Sequence, residues 1–293
     1  MTRLFNSQFF EVKKETRKLL DIRDICETFG LNPDSAKLLY DEDAKKTEDS
    51  PSKLLKAIDS SGLAVKIRIY TSQEIMNRSF LSTELVYNSG VPVCRPLNMN
   101  TTTASFQYME GKRVTYISDY MIHKTGEIHS NLNSVKIENG GFDSRRFFEQ
   151  LIKEGLEYLV KNQWKAVTRN FIHKTFNLEI PTLPLVLDHD DFGVHNVIRN
   201  KKDLVLIDEE AFGVLPFGLG LIRPLYDLYY GFCRTQQQRR RYLGKFDSNL
   251  QQVFRENERF LLFIYTFRNS IRKFTHNNRA GGLKMLKKAE SLP

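Results

Sequence analysis

The chain has little cysteine, no long apolar run, and almost no glycine in its first quarter. Three cysteines occur in 293 residues, at Cys26, Cys94 and Cys233. So few, odd in number and far apart, they exclude a disulfide framework or a cysteine zinc site and fit reduced thiols in a cytoplasm. The most apolar windows, 214–222 and 261–267, fall far short of the roughly 20 residues a spanning helix needs. The first residues, Met1 to Ser7, contain no apolar core, so no secretory signal is expected. Before Lys66 the only glycines are Gly30 and Gly62. That excludes a glycine-rich phosphate loop upstream of that lysine. Internal repeats and low-complexity segments are also missing.

The apolar content is that of a folded globular protein: 41% hydrophobic and 27% charged residues in a chain long enough for two lobes. The net charge is +9, and it is uneven. From Leu228 onward there are 14 Lys and Arg against 4 Asp and Glu. Such an excess serves either as a solvated helical surface or as a face for an anionic partner. Arg239-Arg240-Arg241 is the densest run, and three consecutive residues spread around a helix rather than along one face.

Periodicity divides the chain near residue 121. A short helix over 21–29 stops at Gly30. Strands are expected over 35–40 and 53–58, with the polar stretch 41–52 as a loop between them. Alternation in Gly62–Tyr70 predicts a strand with Leu63, Val65, Ile67 and Ile69 on one face. Ala64, Lys66, Arg68 and Tyr70 lie on the other. A helix over 72–87 closes at Asn88-Ser89-Gly90. A hairpin is expected from strands 105–109 and 113–121, and 122–141 reads as a polar loop. Apolar residues at helical spacing then predict a helix over 143–163. A strand follows over 183–187, then a hairpin from 197–199 and 204–207. Helices over 224–242, 249–276 and 282–291 complete the chain. The resulting class is α+β: a strand-rich N-terminal lobe, 1–121, and a mostly helical C-terminal lobe, 122–293.

The stretch from His189 to Asn196 reads H-x-D-x-x-x-x-N, and after a hairpin comes Leu206-Ile207-Asp208. Phosphoryl transfer from a nucleotide needs these residue types in this order. One carboxylate orients the acceptor hydroxyl, and an amide oxygen with a second carboxylate holds magnesium on the phosphates. Asp191 is therefore the candidate catalytic residue, and Asn196 and Asp208 are the candidate metal ligands. Taken singly, each is as well explained as a turn or strand-end residue; the joint order and spacing carry the assignment. His189 reads as a loop support, and His195 as a packing residue.

Residues 183–227 resemble the aminoglycoside phosphotransferase and choline kinase branch of the protein-kinase-like superfamily, which carries H-G-D-x-x-x-x-N followed by I-D-x-E. Here these stand as His189-Asp190-Asp191 to Asn196 and as Ile207-Asp208-Glu209-Glu210. The resemblance implies a bilobal protein-kinase-like fold with ATP and Mg2+ as cofactors. It implies that Lys66 grips the α- and β-phosphates from its strand, with Arg68 the rival on the same face. The partner glutamate is expected on the following helix, as Glu84 or alternatively Glu74. Asp119-Tyr120-Met121 would be the adenine hinge, and Asp227 would brace the catalytic loop.

Two positions depart from the pattern: residue 190 is Asp rather than Gly, and Glu209 replaces an aromatic. The expected activity is transfer of the γ-phosphate of ATP to a hydroxyl of a small molecule: a sugar, sugar phosphate, amino alcohol or antibiotic. The basic C-terminal half fits an anionic acceptor better than a polycation. Alternatives are a kinase acting on protein or a lipopolysaccharide-type glycan, and a non-catalytic pseudokinase serving as a binding module. Nucleic acid is not an expected partner, because charge alone suggests it and no recognition motif accompanies it.

Overall fold

The computed structural model describes residues 22–38, 53–70, 72–114, 116–137, 143–162, 179–201, 203–276 and 278–291. The loop expected over 41–52 lies outside them. The chain forms two compact units. One contains the described residues from Ile22 to Tyr116 together with the segment Val194–Gly213. The other contains Ile117–Gly193 and Val214–Pro293.

In the first unit, helix α1 (Ile22–Thr28) precedes a five-stranded antiparallel sheet of order β1-β2-β3-β5-β4. Its strands are β1 (Leu31–Leu38), β2 (Lys53–Asp59), β3 (Ala64–Ile69), β4 (Pro96–Asn100) and β5 (Thr103–Gln107). β3 lies centrally, pairing Val65 with Ala57 on one side and with Gln107 on the other. Its expected alternation is realised. Val65 and Ile67 pack with Ile25, Leu31, Leu55 and Ala57. Beyond β3, Tyr70 joins a second cluster with Met76 and Phe80 of helix α2 and with Cys94, Ala104 and Phe106. α2 (Gln73–Asn88) begins where the Ser72 side chain accepts a hydrogen bond from the Ile75 N–H. It ends before Gly90, at φ +79°, a left-handed backbone that glycine adopts without strain. A three-stranded sheet joins β6 (Lys112–Arg113) to the hairpin of β8 (Val197–Asn200) and β9 (Asp203–Leu206).

The second unit is mainly helical. Its helices are α3 (Asp119–Asn133), α4 (Ser144–Lys161), α5 (Ile222–Tyr226), α6 (Gln236–Leu243), α7 (Ser248–Thr275) and α8 (Arg279–Glu290). β7 (Leu185–His189) pairs with β10 (Phe212–Pro216), whose Val214–Pro216 end belongs to this unit. Buried α4 residues Phe147, Phe148, Leu151 and Leu159 show the apolar spacing that predicted the helix.

Three expectations are corrected. The hairpin is β4–β5, turning at Thr101, and the stretch expected as strand 113–121 and loop 122–141 is largely α3. Ser118 caps α3, and Met121, Ile122, Thr125, Ile128, His129 and Leu132 form its buried face. Thr125 and His129 broke the apolar pattern in the sequence, because a hydroxyl and an imidazole occupy core positions. The helix expected over 224–242 is divided into α5 and α6 by a turn. Among the described residues no helix is long and apolar enough to cross a membrane.

Candidate active site

In the strand-rich unit, β3 presents Lys66 and Arg68 two residues apart, hence on one face. Both are buried. Facing them is the turn after β9. Lys66 Nζ pairs with Glu209 Oε1, and Arg68 Nη1 donates to Asp208 Oδ1 at 2.8 Å. Adjacent carboxylates thus meet alternate cations of one strand. Asp208 adopts φ 74°, ψ 69°, a left-handed conformation that costs a non-glycine residue on the order of 1 kcal/mol and that Asp tolerates better than most. Both acids of the turn engage β3, which holds Asp208 in that conformation.

Burial is nearly complete for Glu209, whose side chain is 1% exposed. Burial alone would push its carboxyl up; Lys66 and Arg68 outweigh that and hold it at about 2. Burial would likewise push the Lys66 ammonium down, but the Cys94 sulfur at 3.9 Å and the Glu209 carboxylate drive it up. The Cys94 thiol is itself pushed up to about 12, chiefly by burial. Lys66 is therefore a fixed, charged group.

Asn196 is buried at the end of a short 3₁₀ turn, Val194–Asn196. Its carbonyl accepts from the Ile207 N–H at 2.9 Å, directly beyond the Val197–Leu206 pair of the β8–β9 hairpin. The hairpin register therefore brings the residues flanking Asn196 and Asp208 to one end of the ladder. Their donors are an amide and a carboxylate oxygen, hard ligands suited to Mg2+. Among the described residues no group of three or more His, Cys, Asp or Glu could hold a metal ion. An ion that takes most of its ligands from phosphates and water needs no such group, so this pair fits it.

In the helical unit, Asp190 and Asp191 follow β7 and meet arginines. Arg223 of α5 pairs with Asp191, and Arg268 of α7 forms a two-pronged pair with both oxygens of Asp190. Burial would raise Asp190, but Arg268 first, then Arg223 and Arg272, hold it at about 2. Asp191 is half-buried, with a side chain 25% exposed. Its backbone N–H donates to His189 Nδ1 at 3.3 Å, which fits His189 as a loop support. Phe192, next in the chain, is fully buried and stacks 4.4 Å from the His129 ring. His129 in turn lies 2.7 Å from Asp188 Oδ1 through Nε2 and 2.9 Å from the Tyr242 hydroxyl through Nδ1. Both ring nitrogens are satisfied when Nε2–H donates to the carboxylate and Tyr242 donates to Nδ1. Asp188 fits because residue 220 is glycine: a Cβ there would collide with its carboxylate.

The sequence candidates therefore fall in two places. Lys66, Asn196 and Asp208 belong to the strand-rich unit, and Asp191 to the helical one. Glu84, expected as the partner of Lys66, is exposed on α2, as is Glu74. The carboxylate that meets Lys66 is Glu209 instead, because the turn at Asp208 aims it at β3. Asp119-Tyr120-Met121 forms the first turn of α3, where Asp119 pairs with Arg241. Asp227 accepts from the Tyr229 and Tyr230 N–H groups and from the Tyr265 hydroxyl, so its described contacts brace the turn after α5. Glu209, Arg223, Arg268 and the His129–Asp188 pair were not site candidates from sequence. Only the acid at 209, where the resemblance leads one to expect an aromatic, carried a signal.

Comparison with known family profiles gives no match, and neither does comparison with curated proteins. Solved structures do match. The gentamicin complex of aminoglycoside phosphotransferase APH(2")-IIa superposes with TM-score 0.65 at 14% identity, over 94% of this chain and 98% of that one. Amicoumacin kinase in complex with AMP-PNP and Ca2+ gives 0.62 at 12% identity, over 92% and 93%. Choline kinase LicA from Streptococcus pneumoniae gives 0.60 at 16% identity, over 91% and 95%. At these identities the likeness is one of fold: the chain has the α+β, kinase-like fold of aminoglycoside phosphotransferases and choline kinases.

Proposed function

We propose that the chain is an ATP- and Mg2+-dependent phosphotransferase that moves the γ-phosphate to a hydroxyl of a small molecule. The observation that carries this reading is the pairing of β3 with the turn after β9. The candidate phosphate-gripping Lys66 is held, charged and dry, by the residue next to the candidate metal ligand Asp208. The fold likeness supports it, since the matching structures include kinases solved with AMP-PNP or ADP.

In this reading the strand-rich part serves the nucleotide and the helical part serves the acceptor. Lys66 binds the α- and β-phosphate oxygens, and Glu209 keeps its ammonium in place. Asn196 and Asp208 would hold Mg2+, which neutralises charge on the β- and γ-phosphates. Arg68 already occupies Asp208 Oδ1, so the ion must compete with a guanidinium for that oxygen. Asp191 orients the acceptor hydroxyl and takes its proton late, as the oxygen bonds to the γ-phosphorus and the bond to ADP breaks. The acceptor is a sugar, sugar phosphate, amino alcohol or antibiotic, and the setting is cytoplasmic.

Arginines sit on three acids of the two units, Asp190, Asp191 and Asp208. That favours one second reading: a pseudokinase that binds nucleotide without transfer. ADP release from Mg-ATP by wild type and Asp191→Ala, across sugars, sugar phosphates, amino alcohols, aminoglycosides and a generic protein, separates the two. Acceptor-stimulated release lost in Asp191→Ala supports the kinase. Equal release by both proteins would remove Asp191 from its role. Nucleotide-induced stabilisation with no release would favour the pseudokinase.

A further inference from the structure

We propose that the helical unit carries a subsite for an anionic group on the acceptor, a phosphate or carboxylate apart from the reacting hydroxyl, formed by Arg272 with Arg268 and Arg223. The proposal rests on Asp191 being the residue that orients the acceptor, and it names the chemical class that Asp191 would meet.

Helix α7 places Tyr265, Arg268 and Arg272 at i, i+3 and i+7, a spacing that forms one stripe. Arg268 is anchored by both oxygens of Asp190. Arg223 is anchored on Asp191, the next residue in the chain. Two guanidinium groups are therefore fixed beside the acceptor-orienting carboxylate, and Arg272 stands one helical turn beyond the first. Among the described residues Arg272 forms no ion pair, and the residue is exposed. Asp227 does not supply its counterion. One oxygen of Asp227 accepts from the Tyr229 and Tyr230 N–H groups, and the other from the Tyr265 hydroxyl. Asp190 and Asp191 thus pair with Arg268 and Arg223, Asp227 is taken up by neutral donors, and Arg272 is the arginine of the cluster with no ion pair among the described residues.

The crowding of guanidinium groups is felt. Lost hydration and the like charges of Arg268 and Arg223 push Arg272 down from its ordinary value, outweighing the opposing pull of Asp190. A bound anion would relieve that repulsion, and guanidinium groups are suited to carboxylate and phosphate oxygens. Tyr230 borders the cluster, its ring centroid 5.9 Å from the Arg223 guanidinium and its side chain well exposed. It offers a flat wall for the body of a ligand whose charged end meets the arginines. A polycationic acceptor would instead face like charge here.

The test uses the full chain with Mg-AMP-PNP at saturation, so that added anions do not report on the nucleotide site. Inorganic phosphate, glycerol, glycerate, glycerol 3-phosphate, glucose and glucose 6-phosphate are titrated by calorimetry into wild type, Arg272→Gln and Arg255→Gln. Arg255 is an exposed arginine on the same helix and controls for bulk charge. ADP release with the same compounds is measured in parallel.

The expected result is that a phosphorylated or carboxylated compound binds at least about 10-fold more tightly than its neutral twin. Arg272→Gln should remove that margin and Arg255→Gln should keep it. Comparing glycerate with glycerol 3-phosphate then distinguishes carboxylate from phosphate. Equal affinity for charged and neutral twins overturns the subsite, as does an equal effect of the two arginine changes. The two readings fail separately. Anion binding weakened by Arg272→Gln without ADP release retains the subsite and removes the kinase. ADP release with neutral or cationic acceptors and no anion binding does the reverse.

Discussion

The two units carry the same kind of contact, an arginine or lysine against a carboxylate, in different surroundings. In the strand-rich unit the cations come from the central strand of a sheet, and the Lys66–Glu209 pair is shut away from water. In the helical unit the cations come from helices, and the Asp190–Arg268 and Asp191–Arg223 pairs are partly open, with side chains 12–28% exposed. The difference follows from the scaffold. A central strand is covered on both faces, so a charge on it must be matched within the protein. A helix with one face open to solvent can leave part of a guanidinium to solvent or to a ligand. The dry pair is suited to positioning one residue, and the open pairs to exchanging one partner for another.

The comparison predicts separable consequences. The largest belongs to chemistry in the open cluster: Asp191→Ala should lower turnover by about 10²–10⁴-fold while nucleotide-induced stabilisation persists, read by ADP release and by melting. Retained turnover would end the distinction between acceptor and nucleotide roles. Next comes the dry pair. Glu209→Ala leaves the Lys66 ammonium buried and unmatched, a cost of about 3–5 kcal/mol in urea unfolding. Replacing both residues, as Glu209→Leu with Lys66→Met, should restore much of that stability but not nucleotide binding. If the double variant binds nucleotide normally, Lys66 has no role on the phosphates. Asp190→Asn, at a pair open to water, should cost about 1 kcal/mol or less.

A titration sharpens the contrast. Glu209 sits at about 2 against an ordinary 4.5, so its folded value is depressed. Its contribution is complete above about pH 4.5 and is lost as pH falls toward 2. Urea midpoints of Glu209→Gln should therefore fall less steeply than those of wild type across that window, and parallel curves would contradict the assignment. The smallest effect is screening. Raising ionic strength from about 0.05 to 0.5 M should weaken anion binding at the arginine cluster several-fold. The stability difference between wild type and Glu209→Ala should barely change.

Much of this was legible in the chain, and the reasons are local. The alternation of 62–70 gave β3 because successive side chains of a strand point to opposite faces, setting Val65 and Ile67 apart from Lys66 and Arg68. Ser72 and Gly90 bounded α2 because capping and left-handed backbone are read from single residues. Asp191, Asn196 and Asp208 stood out because their chemistry is ordered along the sequence. α3 was missed where Thr125 and His129 occupy core positions, a pattern whose satisfaction depends on partners such as Tyr242 and Asp188 far away in sequence.

The sequence by itself determined the fold class, most of the elements and the identity of the candidate reactive residues. Only the tertiary structure decided which charges meet. Glu209 and Lys66 are 143 residues apart, and Arg268 and Asp190 are 78 apart. No local propensity links such positions; the sheet register, the left-handed turn at Asp208 and the docking of helices select among the acids that each cation could have met. Glu84 lost to Glu209 for that reason. Glu84 on α2 faces solvent, whereas the buried lysine required whichever carboxylate the fold delivered to it.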